Sequence, residues 1–222
     1  MKGRLEKSLL EPVHTDVLTS EQRDILKILG FTRKLDFYLA GGTGLALYLA
    51  HRTSIDFDFY SFRKFKDLSR YFKEGEIIMD SEDTFEIKVK NTNLSFFYYP
   101  YKLIRRLNSF KEIYVASIED ISAMKIIAIV QRGNFRDFID IYFLIKKFGL
   151  KSIINWTKQK YSGYSTFLIL KGLTYFEDAD RTAIEDEKRI KIFEKITWRE
   201  IKKFIGEEVR KYAEELKGGE DE

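Results

Sequence analysis

The 222-residue sequence contains no cysteine, and histidine is scarce, with only His14 and His51. Without cysteine the protein has no disulfide, no thiolate nucleophile and no zinc–thiolate site. Two histidines are too few for a histidine-rich metal centre. We therefore expect any bound metal to be held mainly by oxygen atoms, which favours Mg²⁺ or Mn²⁺.

Long hydrophobic runs are also missing. No apolar stretch approaches the roughly 20 residues that a membrane-spanning helix needs. Met1–Leu10 is charged and lacks the apolar core of a signal peptide. We expect a cytoplasmic protein without a membrane partner. The net charge is only +4, which permits an anionic partner but falls short of a protein that coats DNA.

What the sequence does contain is enough apolar side chain for a sizeable core, with 44% hydrophobic and 15% aromatic residues. The patterning changes near residue 115. Strands and helices are predicted before this point, and almost only helices after it. We predict an α/β domain over residues 1–115 and a helical domain over residues 116–222, which ends in a short acidic tail.

The predicted elements follow from hydrophobic period and from capping residues. The predicted strands are Leu35–Ala40, Ser54–Tyr60, Phe85–Lys90 and Leu94–Tyr99, and the last two form a hairpin. The predicted helices include Thr43–Arg52, Asp67–Phe72, Asn134–Lys147, Lys151–Lys160 and Arg199–Leu216, with a further helix after a capping box at Ser117–Asp120.

A pair of glycines, Gly41 and Gly42, separates the first predicted strand from the next predicted helix. Backbone without Cβ atoms lets N–H groups approach an anion, and a helix N-terminus adds a favourable dipole. Thr43 follows and either caps the helix or contacts a phosphate oxygen. A glycine turn at such a junction is also common as a purely structural feature. Alone it does not establish a phosphate site.

Two aspartates, Asp56 and Asp58, stand one residue apart in an otherwise apolar predicted strand. The strand period puts them on one face, with side chains roughly 6–7 Å apart. Carboxylates this close repel each other unless a cation lies beside them. Magnesium typically takes one or two carboxylates together with substrate phosphates. The aspartates alone are also compatible with a solvated strand face, but together with the glycines they indicate a nucleotide site.

The run from Gly41 to Phe59, GGTGLALYLAHRTSIDFDF, resembles the minimal nucleotidyltransferase superfamily, and within it the AbiEii/AbiGii toxin-like group. The resemblance implies an α+β fold, in which a mixed β-sheet flanked by helices precedes a C-terminal helical domain. It also implies that the glycine motif binds the nucleotide and that the two aspartates are catalytic metal ligands. Arg52 is a further candidate phosphate ligand, or else an ion-pair partner of Asp56 or Asp58.

A second block supports the resemblance: DISAMKIIAI at Asp120–Ile129 and FRDFIDIYFL at Phe135–Leu144. The group carries a helical lysine followed by R-D-x-x-D. Lys125 would then be a catalytic residue that contacts the nucleotide, and Asp137 an acid of the catalytic site. Alternatively, Lys125 extends to solvent. Asp140 is equally compatible with a structural salt bridge.

One departure from the superfamily concerns a third carboxylate, which many nucleotidyltransferases place on a later strand. The strand best placed for it here, NLSFFYYPY at Asn93–Tyr101, contains no acid, and Ser95 is its only small polar residue. Glu86 is a candidate substitute. Full two-metal catalysis is therefore doubtful.

The resemblance implies a metal-dependent transfer of NMP from an NTP to an acceptor, such as the 3′ end of a tRNA or another RNA. It also implies a toxin–antitoxin or phage-defence component with a cognate antitoxin protein. The alternative is a catalytically inactive nucleotide- or partner-binding protein of the same fold. Aromatic and basic residues also interleave over Tyr98–Arg106, which is typical either of RNA contact or of an ordinary surface strand.

Overall fold

The computed structural model describes Leu5–Gly218. Met1–Arg4 and Gly219–Glu222 lie outside the described residues, as does most of the predicted acidic tail. The chain forms two compact units, which divide between Ile121 and Ser122. The first unit contains the β-sheet, and the second is helical. Within residues 5–218, no helix is both long enough and apolar enough to cross a bilayer.

The first unit is built on a seven-stranded mixed sheet. Its helices are α1 (Ser20–Ile28), α2 (Phe31–Lys34) and α3 (Gly41–Leu49), with a 3₁₀ turn at Leu68–Tyr71. Its strands are β1 (Tyr38–Leu39), β2 (Phe57–Ser61), β3 (Glu76–Asp80), β4 (Thr84–Val89), β5 (Thr92–Tyr98), β6 (Asn108–Phe110) and β7 (Ile113–Val115). The strand order is β3-β4-β5-β2-β1-β7-β6. The β2–β5 and β1–β7 pairs are parallel and the others antiparallel.

The two faces of this sheet differ in composition. Alternate residues of β2 and β5 are fully buried, among them Phe59 and Phe96, whose rings stack with centroids 5.2 Å apart. Phe37 meets the same Phe96 ring edge-on at 5.2 Å. The opposite face, called here the second face, carries the half-buried residues between them. Asp58 and Tyr60 lie on β2 in register with Ser95 and Phe97 on β5.

The second unit continues α4, which starts in the first unit. Its helices are α4 (Ile118–Gln131), α5 (Phe135–Phe148), α6 (Leu150–Lys160), α7 (Thr166–Thr174), α8 (Glu177–Arg189) and α9 (Trp198–Gly218). The buried helix α5 packs against α6, α8 and α9. Phe138, Phe176 and Trp198 form an aromatic cluster with centroids 4.9–5.9 Å apart. The expected helical half is thus present, and α7 and α8 are additions to the predicted elements.

Several predicted boundaries in the first unit were wrong. The helix after the glycines begins at Gly41 and ends at Leu49, because Ala50 adopts a left-handed backbone with φ 47°. Arg52 therefore lies beyond the helix. The next strand begins only at Phe57, so Asp56 immediately precedes it.

Three strands were missed in the sequence. β3 is exposed along its whole length and shows no alternation of apolar and polar residues. β6 and β7 are only three residues long each, too short for a periodic signal. The predicted hairpin is present as β4 and β5. The first of these strands ends one residue earlier than predicted, and the second begins two residues earlier.

Candidate functional site

The start of α3 leaves backbone donors available. The first helical hydrogen bond runs from the Gly44 N–H to the Ala40 carbonyl, at 2.9 Å. The N–H groups of Gly41, Gly42 and Thr43 come earlier and have no acceptor inside the helix. The N-terminus of α3 therefore has N–H groups without a partner in the helix and the positive end of the helix dipole, and both favour a bound anion.

Charged side chains approach both glycines closely. Gly41 has φ 62°, and a Cβ atom there would collide with the Asp58 carboxylate, whose Cγ would lie 3.0 Å away. A Cβ atom on Gly42 would lie 2.6 Å from a terminal guanidinium nitrogen of Arg52. The fold thus brings these four residues close together. We define the glycine–aspartate corner as Gly41, Gly42, Thr43, Arg52, Asp56 and Asp58.

Neutral donors from other elements contact Asp56 and the backbone before it. Asn93 Nδ2 donates to Asp56 Oδ1 at 3.0 Å, and the Thr43 hydroxyl donates to the Asp56 backbone carbonyl. From α1, Gln22 Nε2 donates to the carbonyls of Ser54 and Ile55 at 2.8 and 2.9 Å. These bonds fix the backbone that leads into Asp56. In this arrangement the buried Thr43 side chain orients Asp56.

Asp58 lies inside β2, where the sheet itself sets its position. The Ala40 N–H donates to the Asp58 carbonyl at 2.9 Å, and the two aspartates are both half-buried. Partly exposed carboxylates beside backbone donors are suitable oxygen ligands for a divalent cation that also binds phosphate.

In the part of the chain that the structure describes, no third acid joins this pair. Asp58 is in register with Ser95, and Ser95 with Glu86 on β4. Glu86 is therefore two strands from Asp58, about 9–10 Å between Cα atoms. Within residues 5–218, no three acidic or histidine side chains converge into a group that could hold a metal ion. The carboxylate pair by itself suffices only for a cation whose other ligands come from substrate or water.

Arg52 is the largest fully buried side chain at this corner, with 2% of its surface exposed. Its Nη1 donates to the Thr53 carbonyl at 2.9 Å. Because its guanidinium also packs on Gly42, its positive charge lies beside the start of α3. Both features favour a phosphate group at this corner.

Lys125 and Asp137 belong to a separate ion network in the helical unit. Lys125 Nζ lies 3.0 Å from Asp137 Oδ1 and 2.6 Å from Asp140 Oδ2, and Arg132 Nε lies 3.1 Å from Asp137 Oδ2. Lys125 is only 6% exposed and does not extend to solvent. We call these four residues the lysine network. The structural salt bridge with which Asp140 is compatible in sequence is its ion pair with Lys125.

The charge state of Asp137 follows from two opposing effects. Burial acts to raise the pKa of its carboxyl group, whereas the positive charges of Lys125 and Arg132 act to lower it. The lowering prevails, and the pKa lies below its usual value. Asp137 is therefore ionised at neutral pH, and it is a weaker base than an ordinary aspartate.

Sequence reasoning missed the residues that orient the aspartates. Gln22 closes a capping box with Thr19 at the start of α1, and no sequence pattern reveals its bonds to Ser54 and Ile55. Asn93 was visible only as a hairpin residue.

One of the basic residues after the second hairpin strand, Arg105, forms ion pairs with Glu119 and Glu6, at 3.2 and 2.8 Å.

Comparison with known families decides the class of protein. The family model described as nucleotidyl transferase AbiEii toxin, type IV TA system, matches residues 96–217, more than half of the chain. The chain belongs to the AbiEii nucleotidyltransferase toxin family. The matched residues of this AbiEii protein include Lys125 and Asp137, but they do not include the glycine–aspartate corner.

A curated relative and solved structures match most of this chain. An uncharacterized protein of Aquifex aeolicus is 36% identical, over 89% of this chain and 98% of that protein. A putative nucleotidyltransferase from Helicobacter pylori has a TM-score of 0.54 at 18% identity, covering 90% of this chain and 98% of that one. MenT4, a nucleotidyltransferase toxin from Mycobacterium tuberculosis, has a TM-score of 0.52 at 10% identity, with 84% and 80% covered. At such identities the structures show the fold, and the predicted nucleotidyltransferase-like fold is confirmed.

Proposed function

We propose that this AbiEii-family nucleotidyltransferase transfers NMP from an NTP to an RNA acceptor, for which the 3′ end of a tRNA is the favoured candidate. We further propose that it is the toxin of a toxin–antitoxin or phage-defence pair that acts in the cytoplasm and has a cognate antitoxin. One observation carries the proposal: Gly41 lies against the Asp58 carboxylate, and the adjacent Gly42 lies against the Arg52 guanidinium.

The proposed binding roles follow from the chemistry of each group. The N–H groups of Gly41, Gly42 and Thr43 bind phosphate oxygens, and Arg52 adds positive charge beneath them. Asp56 and Asp58 hold Mg²⁺ or Mn²⁺, to which they fit as two half-exposed oxygen ligands. When bound, the cation supplies charge stabilisation for the phosphates in an in-line displacement.

In the proposed reaction the acceptor hydroxyl oxygen attacks the α-phosphorus. The bond from this phosphorus to the bridging oxygen breaks, and pyrophosphate leaves with the electron pair. Lys125 is proposed to neutralise phosphate charge. Asp137 is proposed to orient the acceptor hydroxyl, a role that its lowered pKa favours over that of proton acceptor. The hydroxyl proton then passes to solvent.

The test is incubation of the full chain with Mg²⁺, total tRNA and each α-labelled NTP in turn. We expect label in RNA from wild type, with one NTP preferred, and a loss of more than about 100-fold for Asp58→Asn. The control is Asp80→Asn, on the exposed edge strand β3, which should label RNA as wild type does. Wild type that labels no RNA with any NTP would contradict RNA transfer.

A second candidate is a protein that binds nucleotide or a partner without turnover. The position in register with Asp58 on β5 is Ser95 and not an acid, which favours this candidate. It predicts NTP binding without pyrophosphate release. Measurement of both quantities on wild type separates the two candidates, because only the transferase releases pyrophosphate when RNA is added.

The toxin role is tested in cells. Induced expression of wild type should arrest growth, and Asp58→Asn should not. Co-expression of the neighbouring gene product should relieve the arrest if that product is the antitoxin. Normal growth with abundant wild-type protein and labelled RNA in vitro would leave a nucleotidyltransferase that is not a toxin.

A further inference from the structure

The second face of the sheet changes from polar to aromatic just beyond the aspartates. Tyr60 follows Asp58 by two residues on β2, and its ring centroid lies 5.3 Å from that of Phe97. The ring centroid of Tyr99 lies 5.1 Å from that of Tyr60, and the ring centroid of Tyr101 lies 4.7 Å from that of Tyr99. We call Tyr60, Phe97, Tyr99 and Tyr101 the aromatic strip.

The aromatic strip borders on the buried Tyr38 of β1, whose ring centroid lies 6.1 Å from that of Tyr60, but its own residues are only partly buried. The opposite face holds the fully buried rings of Phe59 and Phe96, whereas the strip residues are half-buried and Tyr101 is 44% exposed. Contiguous aromatic rings that remain partly exposed commonly mark a binding surface. Three of the four are tyrosines, which combine a flat apolar ring with a hydroxyl group that tolerates water.

The position of the strip points to a particular ligand. Strand geometry puts the Cα atom of Tyr60 about 7 Å from that of Asp58. A chain that stacks on the strip therefore ends beside the proposed reaction centre. Bases are suited to this, because every base has a flat face that stacks on an aromatic ring irrespective of sequence.

We propose that the aromatic strip binds the unpaired bases of a single-stranded RNA end by stacking, and so delivers its terminal hydroxyl to the glycine–aspartate corner. The delivery step rests on the proposed function, whereas the stacking does not. Paired bases already stack within their helix and cannot open onto the strip, so single strands are preferred over duplex. Lys102 is exposed and follows Tyr101, in a suitable position for a phosphate contact.

Binding can be measured without catalysis. Fluorescence anisotropy of a labelled 12-nucleotide RNA is recorded with the full chain and Mg²⁺, without NTP. We expect Tyr99→Leu to bind about 5- to 100-fold more weakly than wild type, and Tyr99→Phe, which keeps the ring, to recover most of that loss. A blunt duplex of the same sequence should bind wild type at least about tenfold more weakly than the single strand.

The matched control is the last residue of β5. Tyr98 precedes Tyr99 and points to the other side of β5, where Lys64 Nζ lies 5.7 Å from its ring centroid. Tyr98→Leu should leave RNA binding within about twofold of wild type. Thermal unfolding checks that each variant is folded, and Tyr101→Leu at the most exposed strip position replaces Tyr99→Leu if the latter does not fold.

The outcomes separate the alternatives. Equal binding of single strand and duplex, wild-type affinity in both Tyr99→Leu and Tyr101→Leu, or an equal loss in Tyr98→Leu would each overturn the proposal. Wild type that binds no RNA would also overturn it, and would leave the strip as a surface for a protein partner.

The failure of this inference is distinct from the failure of the proposed function. In the labelled-NTP assay, strip variants should raise KM for RNA at nearly constant kcat. Strip-dependent RNA binding without any transfer by wild type would refute the proposed function alone. Transfer with an unchanged KM for RNA in Tyr99→Leu would refute the strip alone.

Discussion

The glycine–aspartate corner and the lysine network differ in how deeply their carboxylates are buried. At the corner, the carboxylates of Asp56 and Asp58 are half-buried, and Asp56 is oriented by the neutral donor Asn93. In the lysine network, the carboxylates of Asp137 and Asp140 are buried against the ammonium group of Lys125. The first pair of carboxylates is partly exposed to solvent. The second is largely satisfied by its own ion pairs, and we expect it to contribute to stability whatever its role in catalysis.

The largest expected effect is on the lysine network. Lys125→Met leaves two buried carboxylates without their shared cation, and the free energy of unfolding should fall by about 3–5 kcal/mol. Denaturant unfolding measures it. Lys151→Met removes an exposed lysine of the same unit, 3.9 Å from Glu215, and should change stability by less than about 0.5 kcal/mol. Equal effects of the two substitutions would contradict the idea of a buried, self-balancing network.

The second effect is at the glycine turn. Gly41→Ala combines a left-handed backbone with a collision against Asp58, and should cost about 2–3 kcal/mol of stability and abolish transfer. Gly30→Ala is the control, since nothing lies within 4 Å of its added Cβ and its φ is −57°. Unfolding and labelled-NTP assays measure both variants. A fully active Gly41→Ala would show that the close approach to Asp58 is dispensable.

A smaller effect is expected in the support of Asp56. Gln22→Ala removes the donor of two hydrogen bonds to Ser54 and Ile55, and should cost about 1–2 kcal/mol. Because the loop then orients Asp56 less well, transfer should also need more Mg²⁺. Lys27→Ala, at an exposed position of α1, serves as control. A loss of stability with an unchanged Mg²⁺ requirement would confine Gln22 to a structural role.

The smallest expected effect is on how the free energy of unfolding depends on pH. Because the pKa of Asp137 is lowered in the folded protein, its ionised form stabilises the fold above its ordinary pKa, and this contribution is lost as pH falls through the lowered value. The difference in unfolding free energy between wild type and Asp137→Asn should therefore narrow on acidification from pH 7 to below about pH 4. A difference that is constant over this range would show that Asp137 is not held by the charges around it.

Much of the secondary structure could be predicted, because it depends on the hydrophobic pattern of neighbouring residues. The β4–β5 hairpin follows from alternation, and α5 and α9 from helical period. Order and spacing also predicted that the glycine turn faces the aspartates, and Gly41 lies against Asp58. The exposed edge strand β3 could not be predicted, because a strand exposed on both faces carries no period.

The sequence by itself determined the class of protein and the residue types available to it: oxygen ligands without cysteine, a glycine turn, and one lysine in an apolar helix. Only the tertiary structure decided what surrounds them. It packed Arg52 onto Gly42, brought Asn93 to Asp56, placed Glu86 two strands from Asp58, and buried Lys125 between two carboxylates. The physical reason is that spacing along the chain sets local geometry, whereas strand order and helix packing bring together charges that lie far apart in sequence.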